Sequence, residues 1–157
     1  MGLALELARA SLEEGEVPVG AVLVVDRAVV GRGRNRPIAL SDPTAHAEIQ
    51  ALRDASARLC NYRLPGAVLY STVEPCLMCL GALLHARVAR LVYGTTDPKV
   101  GAVARLRELR DSDARFSHDV RTQGGVLAGP ASRMLLEFFE ERRSAVSRRN
   151  VHRLHRR

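Results

Sequence analysis

The stretch of sequence that decides the fold is residues 67–94, AVLYSTVEPCLMCLGALLHARVARLVYG. Its apolar ends, Ala67 to Thr72 and Ala89 to Gly94, are rich in residues that strands favour. Between them a helix is predicted to begin near Pro75, because proline in the first turn of a helix costs no hydrogen bond. The segment is therefore predicted to form a strand, a helix and a second strand.

The sequence on either side continues this alternation of strands and helices. Two helices and a hairpin of Val-rich strands are predicted before residue 67, and two helices with a short strand after residue 94. Alternation of this kind predicts a three-layer α/β domain, and the hairpin makes its sheet mixed rather than fully parallel. The further predicted elements are a helix from Leu3 to Leu12, strands Val17–Val25 and Ala28–Arg34, a helix from about Pro43 to Leu59 capped by Asp42, a helix over Ala102–Leu109, a strand near Val120 and a last helix from about Pro130.

Positive charge is concentrated at the C-terminal end of this 157-residue chain. The formal net charge is +7, yet all 17 acidic residues precede residue 142, and residues 142–157 include seven arginines. We predict one domain over residues 1–143 and a flexible Arg-rich tail over residues 144–157. A basic tail on a neutral body favours a polyanionic partner such as nucleic acid.

The chain has no pattern typical of a membrane or secreted protein. It contains no run of 18 apolar residues and does not open with an apolar segment and a cleavage site, so we expect no membrane span and a cytoplasmic location. The odd number of cysteines (Cys60, Cys76 and Cys79) argues against a disulfide framework. The Cys-x-x-Cys pair is instead expected to bind a metal or to be redox-active.

Three residues, His46, Cys76 and Cys79, are predicted to hold one metal ion. The cysteines are three apart at a helix start, so both sulfurs lie on one face, where the helix dipole stabilises thiolates. On a helix, His46 and Glu48 fall at the two edges of one inward arc and can reach the same interior space. Two thiolates and an imidazole favour zinc, and three protein ligands leave the open position of a catalytic site.

Two other interpretations of the cysteine pair stay open. A redox pair needs access for partner thiols, whereas the helix that follows Cys76 is apolar nearly all round and is expected to be buried. A structural zinc needs a fourth ligand, and His85 is a poor candidate because it lies on the opposite side of its helix. The remaining candidates are Cys60, His118, His152 and His155.

Several segments resemble those of bacterial tRNA adenosine deaminases, which belong to the cytidine and deoxycytidylate deaminase superfamily. His-x-Glu followed by Pro-Cys-x-x-Cys is the signature of zinc nucleobase deaminases. The similar segments are Glu16–Ala21, Asn35–Pro37, Asp42–Glu48, Thr72–Cys79, Asp97–Lys99 with Gly101–Ala102, Gly125–Leu127 and Phe138–Arg143. The resemblance implies a cytidine-deaminase-like, three-layer α/β/α fold with a mixed five-stranded sheet, and makes residues 1–143 a zinc-dependent deaminase domain.

By the same resemblance, the chain is expected to convert adenosine to inosine at the wobble position of tRNA, as a homodimer with one Zn²⁺ per subunit. Glu48 is then the catalytic residue, which takes a proton from a zinc-activated water and passes it to N1 of the purine. One ring of the Phe138–Phe139 pair is expected to pack in the core. The residues expected to contact the tRNA anticodon stem-loop are Asn35, Ala47, Asp97, Phe138, Arg142 and Arg143.

Two alternative functions share these motifs. A deaminase of a free base or nucleoside, such as guanine or cytidine, would have the same zinc site. The basic C-terminal end and the Phe-Phe-x-x-Arg-Arg sequence at 138–143 favour tRNA instead. A non-catalytic RNA-binding zinc module is the second alternative, but it would have no need of the Glu48 carboxylate beside its metal.

Overall fold

The computed structural model describes residues 1–112 and 118–154, with the backbone alone at residues 109–110 and 146–154. In chain order the elements are α1 (Gly2–Glu13), β1 (Gly20–Val25), β2 (Ala28–Arg34), α2 (Pro37–Leu40), α3 (Ala47–Leu59), β3 (Val68–Val73), α4 (Leu77–His85), β4 (Arg90–Thr95), α5 (Val103–Asp111), β5 (Arg121–Gln123) and α6 (Ala128–Leu154). The strands form one sheet in the order β2-β1-β3-β4-β5. Pairing is antiparallel from β2 to β3 and parallel from β3 to β5. The predicted mixed five-stranded sheet is confirmed.

Helices cover both faces of this sheet, as the three-layer prediction requires. On one face α1 and α6 pack on the sheet and enclose a small apolar cluster that includes Leu5, Ala8 and Met134. On the other face α3, α4 and α5 cover the larger core, whose fully buried members include Leu69 and Leu83. The metal-ligand candidates lie on this second face, at the starts of α3 and α4.

Strand β2 lies very close to α3 because two of its residues are glycines. A Cβ atom at Gly31 or Gly33 would collide with the backbone of α3, whose Ala47, Ala51 and Ala55 are themselves small and fully buried. Any larger side chain at these glycines would push α3 away from the sheet. The glycines of β2 therefore set the position of the helix that begins beside His46.

The hairpin between β1 and β2 turns through Asp26 and Arg27, which both have positive φ angles of 48° and 66°. Two left-handed residues in a two-residue loop match the right-handed twist of the strands. The first strand begins at Gly20, three residues later than predicted. Pro18 has no N–H to give to a ladder, and the Val19 N–H donates to the Val17 carbonyl at 2.8 Å instead.

Two further boundaries differ from the prediction. The short helix α2 was not predicted, and its single turn follows directly from the Arg36-Pro37 junction. Helix α6 begins at Ala128 and continues to Leu154, so the predicted division at residue 143 falls inside a helix. The flexibility of residues 144–157 stays a prediction, with residues 155–157 outside the described part of the chain. No helix among the described residues is long and apolar enough to cross a bilayer.

Candidate metal centre and active site

His46 lies just before α3 rather than inside it, because the helix begins four residues later than predicted. The Asp42 side chain does not cap a helix. It accepts hydrogen bonds from the N–H and the hydroxyl of Thr44 at 2.8 and 2.7 Å, which closes a turn over residues 42–45. His46 is consequently the N-cap residue in an extended conformation, and Glu48 lies in the first turn. The helical-arc argument for His46 is therefore wrong, although its ring still faces the same interior space as Glu48.

The two cysteines occupy the corresponding positions at the start of α4. Cys76 is the N-cap residue and Cys79 lies in the first turn. The positive ends of the α3 and α4 dipoles thus point at one place, which favours anionic groups there. Helix α4 is not buried all round as predicted, since Leu77 and Met78 are 64% and 37% exposed. Burial of this helix therefore does not exclude a redox pair, and the exclusion has to come from the geometry of the ligand atoms.

That geometry fits a tetrahedral zinc ion. The Cys76 and Cys79 sulfurs lie 3.7 Å apart, and each lies 3.6 Å from Nδ1 of His46. With Zn–S bonds of about 2.3 Å and Zn–N bonds of about 2.0–2.1 Å, a tetrahedron separates two sulfurs by about 3.8 Å and sulfur from nitrogen by about 3.6 Å. The three ligand atoms are therefore spaced as zinc ligands, and a redox pair has no need of the imidazole at this spacing.

The other candidate ligands lie elsewhere. Within the described part of the chain, the metal-type group at this place consists of His46, Cys76 and Cys79 alone. Cys60 is exposed after the end of α3, and Nε2 of His118 lies 2.9 Å from the Val88 carbonyl oxygen. The side chains of residues 152 and 155 lie outside the described residues. The described residues therefore offer three candidate ligands at this place, one fewer than a structural zinc site needs.

Glu48 borders this cluster as a buried carboxylate. Its side chain is 4% exposed; Oε2 lies 3.5 Å from the Cys79 sulfur, and Oε1 accepts a hydrogen bond of 3.2 Å from the hydroxyl of Ser71. Ser71 is fully buried on β3, in line with the core residues Leu69 and Val73. Sequence reasoning missed Ser71, and the available signal was a hydroxyl at an inward position of an otherwise apolar strand.

The protein groups of the site shift one another's protonation. Burial raises the pKa of Glu48, which suits a carboxylate that has to hold a proton for part of a cycle. Hydrogen bonds from Cys79 and His46 lower the pKa of Cys76 to about 4, whereas the same sulfur contact and burial raise the pKa of Cys79. The contact with Cys76 raises the pKa of His46. Zinc requires both thiolates and a neutral imidazole, so its binding should release protons.

Comparison with known proteins identifies the family. The model of the cytidine and deoxycytidylate deaminase zinc-binding region matches residues 1–95. Over 144 residues the chain is 49% identical to the tRNA-specific adenosine deaminase of Haemophilus influenzae, a match that covers 91% of this chain and 83% of that protein. The chain belongs to the tRNA-specific adenosine deaminase family. The resemblance predicted from its motifs is confirmed.

Solved structures agree with this membership. A structure from biochemical and structural studies of A-to-I editing by tRNA:A34 deaminases has a TM-score of 0.80 and 45% identity, and the match covers 86% of this chain and 97% of that chain. A guanine deaminase from Nitrosomonas europaea has a TM-score of 0.73 at 27% identity, over 87% and 81% of the two chains. The tRNA-editing deaminase is thus the nearer of these two in both fold and sequence.

Asn35 and Ala47, both predicted to contact substrate, are joined to each other in this deaminase. The Ala47 N–H donates to Oδ1 of Asn35 at 3.2 Å, and both residues are buried. This bond fixes the Asn35 amide beside the first turn of α3, between the metal ligands and the end of β2. Because the Ala47 N–H is used in this bond, Ala47 holds the Asn35 side chain in place.

Asp97 builds the loop after β4. Its Oδ1 accepts hydrogen bonds from the N–H groups of Lys99 and Val100 at 2.9 and 3.2 Å, so the carboxylate is engaged in the turn itself. Glu74, another residue that sequence reasoning missed, accepts from the N–H groups of Asp97 and Val103. Glu74 directly precedes the Pro-Cys motif, and it ties this loop to the start of α4.

The aromatic pair on α6 divides as expected, but Phe138 is the ring that packs. Phe138 is 7% exposed beneath the Arg142 guanidinium, whereas Phe139 is 45% exposed. The predicted contact of Phe138 with substrate disagrees with this burial. Arg142 also donates to the Gly15 carbonyl oxygen and so ties α6 to the end of α1. Phe139 and Arg143 instead line a groove of about 560 Å³ whose opposite wall is the Asp97–Val100 loop.

Proposed function

We propose that this deaminase hydrolyses the 6-amino group of adenosine at the wobble position of tRNA, so that adenosine and water become inosine and ammonia. The observation that carries the proposal is the zinc-type spacing of His46, Cys76 and Cys79 beside the buried carboxylate of Glu48. The relatives named tRNA-specific adenosine deaminase and the tRNA:A34 deaminase structure support the substrate.

The donor set fits zinc, with His46, Cys76 and Cys79 as ligands and one ion per subunit. When bound, zinc supplies a water molecule whose pKa is lowered toward neutrality. Glu48 moves the proton: Oε1 is held by Ser71, which leaves Oε2 on the ligand side to accept a proton and to donate it to the purine ring. The raised pKa of Glu48 favours both directions of transfer because the protonated form is accessible.

Asn35 is placed to orient the purine. Its Oδ1 is fixed by the Ala47 N–H, so its amide nitrogen is the end of the side chain that remains to donate to a ring nitrogen. A donor held within a rigid backbone frame positions a base better than a mobile side chain does. We therefore retain Asn35 as a substrate contact and assign Ala47 the role of holding it.

The groove between α6 and the Asp97–Val100 loop is a suitable place for bases next to the target. Phe139 offers an exposed ring for stacking and Arg143 a charge for the phosphate backbone. Phe139 thus takes the stacking role first expected of Phe138. Asp97 contributes by shaping the loop, and Arg142 by holding α6 against α1.

The test is an inosine assay on a tRNA with adenosine at the wobble position, with free adenosine and guanine in parallel. With the wild-type protein we expect inosine to form in the tRNA and no product from free adenosine or guanine. The Glu48→Ala variant should form no product but retain its full zinc content by metal analysis. Glu6→Ala, which removes an exposed glutamate on α1, is the matched control and should behave as wild type. Turnover by Glu48→Ala would contradict the mechanism, and unmodified tRNA with wild-type protein would contradict the substrate.

A deaminase of a free base is the second candidate, favoured by the shared fold of the guanine deaminase structure. Salt separates the two functions, since binding through phosphates weakens steeply as salt rises and binding of a neutral base does not. A KM that is insensitive to salt, together with turnover of guanine, would favour the free base. The alternative of a non-catalytic zinc module conflicts with the buried carboxylate, which a structural site does not need.

We also propose a homodimer in the cytoplasm. Leu77 and Val100 are 64% and 59% exposed beside the metal centre, which is typical of a surface that a second subunit covers. Sedimentation equilibrium should give twice the monomer mass for wild type, and the measured mass should fall toward that of the monomer in Leu77→Glu. The three cysteines are free, and free thiols are maintained in a reducing compartment, which supports the cytoplasm.

A further inference from the structure

A small notch lies across the exposed edge of the sheet, at strand β2. Its volume is about 260 Å³, and its lining comes from α1, β2, the loop after β2 and α3. The lining residues are Leu7, Arg32, Gly33, Arg34, Arg36 and Gln50. Three of these six residues are arginines, two residues apart along the chain, so the notch is more basic than the groove beside α6, whose lining includes one lysine, one arginine and one aspartate.

Among the described residues, three donor atoms in this notch lack acceptors, although Arg34 also donates through Nη2 to Glu14. The Nε atoms of Arg34 and Arg36 and the side-chain nitrogen of Gln50 are buried and make no hydrogen bond within the described chain. The Nε of Arg36 lies 3.4 Å from Glu14, but the angle is not that of a hydrogen bond. Buried donors without acceptors cost free energy, so three together indicate a group that supplies several acceptor oxygens.

The charges around the notch leave it positive. Glu14 is the acid that faces it, through ion pairs with Arg34 and Arg36. Asp54 is engaged by the Arg32 N–H and by Arg58, and the buried Glu16 carboxylate accepts two backbone N–H groups of α2. Three guanidinium groups against one carboxylate favour an anion, and arginine forks match phosphate oxygens.

Asn35 connects the notch to the active site. It lies between Arg34 and Arg36, so its Cα is about 3.8 Å from that of each arginine. Its side chain points toward Ala47 and the metal ligands, whereas the two arginines line the notch. We propose that this notch binds a phosphodiester of the RNA strand as the strand leaves the deamination site. The inference rests on the proposed function and adds a backbone contact at the β2 edge to it.

The test measures binding of an anticodon stem-loop RNA as salt is varied, for wild type, Arg34→Gln and the Arg32→Gln/Arg34→Gln double variant. A phosphate contact to a single strand contributes about −0.7 to the slope of log K against log salt. Arg34→Gln should therefore flatten the slope of log K against log salt by about 0.7, which corresponds to about fivefold weaker binding at about 0.1 M salt. The double variant should lose more RNA affinity than Arg34→Gln. In the deamination assay its KM should rise while its kcat stays nearly unchanged. Arg58→Gln, which breaks a similar exposed ion pair on α3, is the matched control.

Glu14→Gln gives a result of opposite sign. This change removes the carboxylate that competes with phosphate for Arg34 and Arg36, so RNA binding should strengthen. A merely structural role of the ion pairs would weaken binding in both variants. If Arg34→Gln and Glu14→Gln bind RNA as Arg58→Gln does, the notch proposal is overturned while inosine formation by wild type still stands. If wild type forms no inosine, the proposed function fails instead.

Inorganic phosphate distinguishes an RNA backbone from a free anion. We expect phosphate alone to leave the melting temperatures of wild type and Arg34→Gln equally unaffected, because one phosphodiester is held mainly through the rest of its strand. If phosphate stabilised wild type but not Arg34→Gln, while both bound RNA equally, the notch would be a small-anion site and the RNA assignment would be wrong.

Discussion

Replacing Gly33 by alanine tests whether the packing of β2 against α3 sets the metal centre. A Cβ at residue 33 would meet backbone atoms of Ala47, Gln50 and Ala51, the farthest of them at 3.0 Å. The Ala47 carbonyl oxygen would lie more than an ångström inside the 3.4 Å at which ordinary contact begins. Backbone atoms of a helix cannot rotate away as a side chain can, so α3 itself would have to move.

The size of this movement determines the expected loss. A metal site tolerates changes of about 0.2 Å in its ligand distances, whereas α3 begins directly after His46 and would move by about 1 Å or more at the clash. We therefore expect Gly33→Ala to weaken zinc binding by about 10- to 100-fold, comparable to the loss of a group that orients a ligand. The overpacking itself should lower the free energy of unfolding by about 1–3 kcal/mol.

The assay is a competition for zinc against a chelator, with the melting temperature measured on the same samples. Gly20→Ala is the control, since its Cβ would collide with the backbone of Ala4 and Ala8 on α1, which packs on the sheet face opposite to α3 and α4. Both variants should melt earlier, but Gly33→Ala alone should lose zinc affinity. Equal zinc affinity in two variants of equal stability would refute the claim that the β2–α3 contact positions His46.

Three further predictions use other contacts. Glu16→Ala should lower the free energy of unfolding by about 2–4 kcal/mol, because the variant loses a buried carboxylate that accepts hydrogen bonds from two N–H groups of α2. Urea denaturation measures this loss, and Glu13→Ala, which changes an exposed neighbour, should have little effect. Thr44→Val removes the hydroxyl that lowers the pKa of Asp42 in the folded protein. The loss of stability in this variant should therefore be present at neutral pH and disappear as pH falls through the folded-state pKa of Asp42, which lies below the unfolded value of about 3.9. A loss of stability that persists in acid would contradict this explanation. Removal of zinc by a chelator should lower the melting temperature and added zinc should restore it, whereas Cys76→Ser should respond to neither.

The sequence predicted the residues of the site better than the reasons for their position. Cys76 and Cys79 could be paired because three residues of helix bring two side chains to one face, and the structure keeps that proximity although the helix begins at Leu77. His46 was placed by a helical arc that does not exist, because the Asp42 side chain bonds to Thr44 and delays the helix. Its proposed role as a metal ligand could be inferred from residue type and from the nearby Glu48, whereas its conformation could not.

The unpredicted parts depend on contacts between distant segments. Ser71 reaches Glu48 across 23 residues, and Glu74 reaches the N–H of Val103 across 29. Which ring of Phe138 and Phe139 is buried depends on the rotation of α6 against the sheet, which sequence periodicity on a long polar helix does not determine. By contrast, the strand order was constrained by short connections and by the alternation of elements.

The proposed metal ligands lie 30 and 33 residues apart along the chain, at the starts of two helices that the sheet holds together. An unfolded chain retains the local cysteine pair but not the imidazole, so it should hold the ion far more weakly than the native chain does. Partial opening of the seam between α3 and α4 would have the same effect without global denaturation. The amount of bound zinc should therefore report the fraction of native protein in a preparation. On warming, zinc should be released before the helical circular dichroism signal is lost.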